Sequence, residues 1–101
     1  MSYNFIQVIE IKCSDKKTRL LDLYKAWDSS GILYQCRIQG MWEDEPDVYL
    51  VRLPQKTPKE ALANAFDAVR THLKNESGVL SAKTSGTPSY ISDKDIEELI
   101  S

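Results

Sequence analysis

The sequence predicts an α+β domain in which helices cover one face of an antiparallel sheet. Two runs of alternating apolar and polar residues, 3–13 and 32–42, are typical of strands, and a capped amphipathic helix signal begins at Thr57. With a helix also predicted over residues 14–28, the element order favours a ferredoxin-like βαββα(β) arrangement. The alternative is a four-stranded meander followed by a helix, which requires residues 18–27 to be extended.

The first strand, residues 3–13, has apolar residues on both faces, which indicates a position inside the sheet rather than at its edge. Ile6 and Val8 fall on the face of the polar residues. The other face, predicted to be the inward one, holds Tyr3, Phe5, Ile9, Ile11 and Cys13.

Residues 14–28 decide the topology, and we expect them to be helical. Four apolar residues lie at i, i+3, i+4 and i+7 and form one helical stripe: Leu20, Leu23, Tyr24 and Trp27. Ser14 is a suitable cap for this helix. A hairpin is the competing interpretation, because Asp28-Ser29-Ser30-Gly31 has the composition of a type I turn.

The remaining elements follow in order. Residues 32–42 and 48–53 are predicted as two strands, the second ended by Pro54. Thr57 as cap, Pro58 at the first helical position and Glu60 three residues after the cap predict the main helix. We expect a short edge strand over residues 78–83, a flexible connector from residue 85, and a short acidic helix before residue 101. The domain proper is therefore predicted to span residues 1–84, with residues 85–101 appended.

Composition narrows the classes of function. A chain of 101 residues with a net charge of −2 has no general attraction for nucleic acid, so nucleic acid is not the expected partner. Neither a membrane span nor a secretory signal is apparent in the sequence. Cys13 and Cys36 are expected to be reduced and buried, which favours the cytoplasm. With His72 as the one histidine and no catalytic or metal-binding motif, we expect no enzyme activity, no cofactor and no metal.

An acidic turn between the second pair of strands holds the candidate partner-binding residues, which are Trp42, Glu43, Asp44, Glu45 and Asp47. A turn requires one Asp and a Gly at most, so this excess of carboxylates suggests contact with a basic surface of another protein. Trp42 would supply an apolar anchor beside them.

A homodimer is a further expectation, because it would cover apolar residues left on the sheet face away from the helices: Ile6, Val8, Val48 and Leu50. Lys16, Lys17 and Arg19 form a small basic patch that is expected to be a solvated surface.

The segment from Asp47 to Pro54, followed by Thr57-Pro58-Lys59-Glu60-Ala61-Leu62, resembles part of the HicB-type antitoxin domain. In that family a strand that ends in proline leads into a "T-x-x-E-A" helix. The resemblance covers about a quarter of the chain. The sequence lacks the glycine-containing segment that the family has between the proline and the helix, and no recognisable helix-turn-helix follows. The resemblance implies an antitoxin-like regulator.

Three classes of function remain. The sequence favours a small non-enzymatic protein-interaction module, such as an inhibitor, immunity or accessory protein, which acts through the acidic hairpin tip and the sheet face. An antitoxin-like or nucleic-acid-associated regulator is the first alternative, and a small-molecule-binding domain is the second.

Overall fold

The computed structural model describes residues 2–39, 49–50, 54–85 and 90–100 and places them in one sheet and two helices. The elements are, in chain order, β1 Ser2–Cys13, β2 Thr18–Asp28, β3 Gly31–Ile38, β4 Tyr49–Leu50, α1 Pro58–Leu73, β5 Val79–Ser85 and α2 Asp93–Ile100. The radius of gyration of 13.0 Å is the value expected for one domain of this length.

The sheet has the strand order β4-β3-β2-β1-β5, and all neighbouring strands in it are antiparallel. The first four strands form a meander in chain order, and β5 returns after α1 to pair with the free side of β1. Both helices pack on one face of the sheet. The α+β class is therefore confirmed. The finer arrangement is the meander with β5 added, and not the ferredoxin-like order.

The prediction of a helix over residues 14–28 is wrong, because this stretch contains the β1–β2 turn and strand β2. Its turn contains Lys16, which has a positive φ of 69°, and the backbone N–H of Cys13 donates to the carbonyl of Lys17 at 3.0 Å. Asp15 stabilises the turn by accepting the backbone N–H of Lys17 at 3.1 Å. The second turn, at Asp28–Gly31, is the hairpin turn of the competing interpretation.

The helical spacing in this stretch arises because β2 carries apolar residues on both of its faces. Leu21 and Leu23 point toward the helices and are fully buried, whereas Leu20 lies on the opposite face and is exposed. In the sheet, Leu21 is paired with Ile9 on one side and Ile38 on the other. Cross-strand partners on both sides outweigh local helix propensity, which is a weak preference.

The hydrophobic core lies between the sheet and the helices, and α1 supplies one wall of it. The amphipathic helix predicted from Thr57 is confirmed, because one of its faces is buried in this core. The fully buried side chains of this core include Ile9, Ile11, Leu21, Leu23 and Ile38 from the sheet and Leu62, Ala65, Phe66 and Val69 from α1.

The start of α1 agrees with the prediction. Thr57 has an extended backbone, and its hydroxyl oxygen accepts the N–H of Glu60 at 3.1 Å, while Pro58 is the first helical residue. Lys74, with a left-handed φ of 54°, ends the helix and bonds back to the carbonyl of Arg70 and that of Thr71. The chain can then turn directly into β5, which was expected as an edge strand.

The C-terminal helix α2 packs on the same core as the rest of the domain. Ile91 and Ile96 are buried there. The side-chain carbonyl of Gln7 accepts the backbone N–H of Tyr90 at 2.9 Å and that of Ile91 at 3.2 Å. Arg70 donates to the carbonyl of Leu99 at 2.6 Å. Contacts from β1 and α1 therefore fasten residues 90–100 to the domain.

A bulge in β1 determines which aromatic side chains leave the core. Phe5 pairs with Tyr24, but Gln7 pairs with Leu23, so Ile6 is an extra residue between the two pairs. Since neighbouring residues of β2 point to opposite faces, Phe5 and Gln7 also point to opposite faces. Tyr3 and Phe5 therefore do not share the face of Ile9, as the simple alternation predicted.

Candidate functional site

The sheet face opposite the helices, which we call the outer face, carries the exposed aromatic residues of β1. Tyr3 is 56% exposed and Phe5 is 49% exposed, and Leu20, farther along this face opposite Glu10, is 38% exposed. Neither described helix packs on this face. Aromatic residues are enriched where proteins bind one another, so the exposed rings on this sheet face mark a candidate interface.

Three side chains from three adjacent strands form the centre of this face, and we call them the outer cluster: Phe5, Tyr24 and Arg37. The rings of Phe5 and Tyr24 meet edge to face, with centroids 5.7 Å apart and planes at 69°. The guanidinium carbon of Arg37 lies 5.2 Å from the centroid of Tyr24, a cation–π contact. The planar guanidinium group of Arg37 therefore lies against the ring of Tyr24.

The charge of Arg37 is not neutralised by an ion pair within the part of the chain that the structure describes. Asp22, its cross-strand neighbour, instead accepts a hydrogen bond from the side-chain amide of Gln39 at 2.8 Å. The Nε of Arg37 is shielded from solvent, and no described residue accepts a hydrogen bond from it. The outer cluster can therefore offer a guanidinium to a carboxylate or carbonyl of a binding partner.

The predicted partner-binding residues Trp42, Glu43, Asp44, Glu45 and Asp47 lie outside the described residues. The described residues on either side of them belong to the β3–β4 part of the sheet. The backbone N–H of Gln39 donates to the carbonyl of Leu20 at 2.9 Å, and Tyr49 pairs with Ile38. The acidic segment is thus joined at both ends to strands that carry the outer face.

The apolar residues that a homodimer was expected to hide have different positions. Val8 does lie on the outer face, opposite Asp22 in the register of β1 and β2. Ile6, the bulge residue, packs against the core. Val48 and the side chain of Leu50 lie outside the described part of the chain.

The predicted basic patch is split by the structure. Lys16 and Lys17 are exposed in the β1–β2 turn. Arg19 is buried, and its guanidinium forms two hydrogen bonds with the carboxylate of Asp15, at 3.0 and 2.9 Å. Arg19 is therefore a structural residue of the hairpin and does not contribute to a surface for phosphate.

The cysteines are buried on the helix side of the sheet, as predicted. Removal from water, with a smaller contribution from the charge of Asp22, raises the pKa of Cys36 to about 12, so its thiol stays protonated and unreactive. Cys13 is free and 2% exposed. His72, the one histidine, is half-buried near the end of α1.

Residues 2–39, 49–50, 54–85 and 90–100 contain no group of three His, Cys, Asp or Glu side chains placed to hold a metal ion. Neither helix among them has the length and apolar content needed to cross a membrane. Comparison of the chain with protein-family models, curated proteins and solved structures finds no match.

Sequence reasoning missed the outer cluster. It placed Phe5 with the core and Tyr24 in a helix, and it gave no role to Arg37. The available signal was the apolar content of residues 20–27 on both faces of a strand. Even so, the bulge that brings Phe5 against Tyr24 depends on pairing between strands and has no local sequence mark.

Proposed function

We propose that this chain is a small non-enzymatic protein-interaction module, such as an inhibitor, immunity or accessory protein. It binds its partner through the outer face and through the acidic segment that contains Trp42 and Glu43–Asp47. The observation that carries the proposal is the outer cluster, in which Arg37, which has no ion pair among the described residues, rests on Tyr24 beside the exposed ring of Phe5. Aromatic and arginine side chains dominate the binding energy of protein interfaces. The two buried, free cysteines support a reducing compartment, the cytoplasm.

Removing the ring of Phe5 is expected to weaken partner binding by about tenfold or more, the usual effect of truncating an aromatic anchor. Affinity capture from a native extract with tagged parent protein and the Phe5→Ser variant measures this effect. Leu80→Ser is the matched control, because Leu80 is an apolar residue on β5 that is 59% exposed. A protein retained by the parent and the control but depleted by Phe5→Ser supports the proposal.

Other outcomes of this capture point elsewhere. Equal retention by all three proteins would place the interface away from the outer cluster. If the tagged protein retains only untagged copies of itself, and sedimentation shows a dimer that Phe5→Ser dissociates, the partner is a second copy of the chain.

The acidic segment is expected to speed association by attracting a basic surface. Replacing Glu43, Asp44 and Glu45 with serine should leave the fold intact, slow association and flatten its dependence on salt. Association rates with the captured partner at low and moderate salt test this expectation, since screening removes the contribution of exposed charges. Identical rates for parent and variant at both salt concentrations would show that the carboxylates do not meet the partner.

A nucleic-acid-associated regulator is the second candidate, and the exposed rings of Tyr3 and Phe5 favour it, because unpaired bases stack on aromatic side chains. An electrophoretic shift with single-stranded oligonucleotides at moderate salt, lost in Phe5→Ser and kept in Leu80→Ser, would favour this candidate over the first.

A further inference from the structure

A second exposed apolar surface lies at the β2–β3 hairpin, on the sheet face that bears the helices. Trp27 and Ile32 are directly paired across the two strands and are 41% and 50% exposed. By alternation along β2, Trp27 points to the same side as the fully buried Leu23. Packing in the core does not account for this apolar pair, because both side chains are exposed although they lie on the sheet face that carries the core.

A groove of about 390 Å³ opens at this surface. It is lined by Asn4, Lys25, Trp27, Asp28, Gly31 and Ile32. Asn4 and Lys25 are partners across β1 and β2, so an amide and an ammonium border the apolar pair. Gly31 has a φ of 136°, and a side chain there would meet no atom within 4 Å, which leaves one side of the groove open.

The groove lining carries one positive charge, that of Lys25, and one negative charge, that of Asp28. Lys25 forms no ion pair with any carboxylate of the described residues. The carboxylate of Asp28 is already engaged in the turn, where its Oδ1 accepts the backbone N–H of Ser30 at 2.8 Å and also the hydroxyl of Ser30. Asp28 keeps its negative charge, but these hydrogen bonds direct its carboxylate to the turn, so the ammonium of Lys25 and the amide of Asn4 are the donors available to a ligand.

We propose that this groove binds a small molecule in which a planar apolar group is joined to a carboxylate. The planar group packs on the indole of Trp27 and the side chain of Ile32, and the carboxylate meets Lys25 and Asn4. The volume lies at the lower end of the range for ligand sites, which fits a small molecule of one ring. This site is separate from the outer face, and the proposal does not depend on the interaction function.

Titration of ¹⁵N-labelled protein with phenylacetate tests the site through the indole N–H resonance of Trp27, assigned by comparison with Trp42→Phe. We expect a saturable shift of this resonance and of the Asn4 side-chain amide at millimolar ligand, as is usual for a fragment with few contacts. Neutral phenylacetamide and cationic phenethylamine should bind about threefold more weakly or worse, since an exposed charge pair contributes modestly. Lys25→Gln should weaken phenylacetate binding by about the same factor.

Lys83→Gln is the matched control for the loss of one positive charge, because Lys83 is exposed on β5, and it should leave binding unchanged. Equal binding of phenylacetate to the parent and to Lys25→Gln, or tighter binding of phenethylamine, would overturn the assignment of a carboxylate. No saturable shift at Trp27 in folded protein at about 10 mM phenylacetate would overturn the site itself.

Discussion

Replacing Asp15 with alanine is expected to lower the free energy of unfolding by about 2 kcal/mol at neutral pH, because the shielded guanidinium of Arg19 loses two charge-assisted hydrogen bonds to a carboxylate that is itself partly exposed. The side chain of Arg19 is 2% exposed and depends on Asp15 for two hydrogen bonds, at 3.0 and 2.9 Å. Without the carboxylate, this buried cation has no counter-charge, and the backbone N–H of Lys17 loses an acceptor in the turn. Two-state denaturant unfolding of parent and variant measures the difference.

The same substitution has an expected pH dependence. Hydrogen bonding to Arg19, the largest cause, holds the pKa of Asp15 below its ordinary value. A carboxyl whose pKa is lower in the folded state stabilises the fold at pH values above its unfolded pKa, and this contribution is lost as pH falls through the folded pKa. The difference between parent and Asp15→Ala should therefore be complete at pH 7 and shrink below about pH 4. A difference that stays constant down to about pH 2.5 would contradict the role of the ionised carboxylate.

Replacing Gln7 with leucine is expected to lower the free energy of unfolding by about 2 kcal/mol, because buried N–H groups lose their acceptor while the side-chain volume is kept. Gln7 is 2% exposed, and its carbonyl accepts the backbone N–H groups of Tyr90 and Ile91. The loss should be concentrated in residues 90–100. Hydrogen exchange of the α2 amides should accelerate, and denaturant unfolding should give the total change.

The control for this prediction is Glu10→Leu, which makes an exposed residue of the same strand apolar. It should leave the exchange of α2 unchanged. If Gln7→Leu also leaves that exchange unchanged, the hydrogen bonds of Gln7 do not hold the C-terminal helix to the sheet.

The parts of the fold that could be predicted from the sequence are those encoded by neighbouring residues. Thr57, Pro58 and the apolar stripe of α1 lie within one segment, so local chemistry specifies both the start and the buried face of the helix. The β1–β2 hairpin could not be predicted in this way. Its turn uses a left-handed residue, Lys16, where the usual glycine signal is absent, and its strand gains stability from partners elsewhere in the chain.

The candidate site was harder still to predict, because its parts are distant in sequence. Phe5, Tyr24 and Arg37 come from three strands, and only the pairing register brings them together. The acidic segment was the one site visible as a local pattern. It lies outside the described residues, and its role stays a prediction.

Because Ile6 is an extra residue in β1, the length of this strand decides on which sheet face Tyr3 and Phe5 lie. Residues 2–5 are out of phase with residues 7–13, so the two halves of β1 follow different alternations. Deleting one residue at this point would restore a single alternation and turn Tyr3 and Phe5 toward the helices, while Ile9 and Ile11 kept their places. A one-residue deletion could thus withdraw both rings from solvent without any substitution. A relative that lacks this one residue would not share the exposed aromatic face, even if the rest of its sequence were the same.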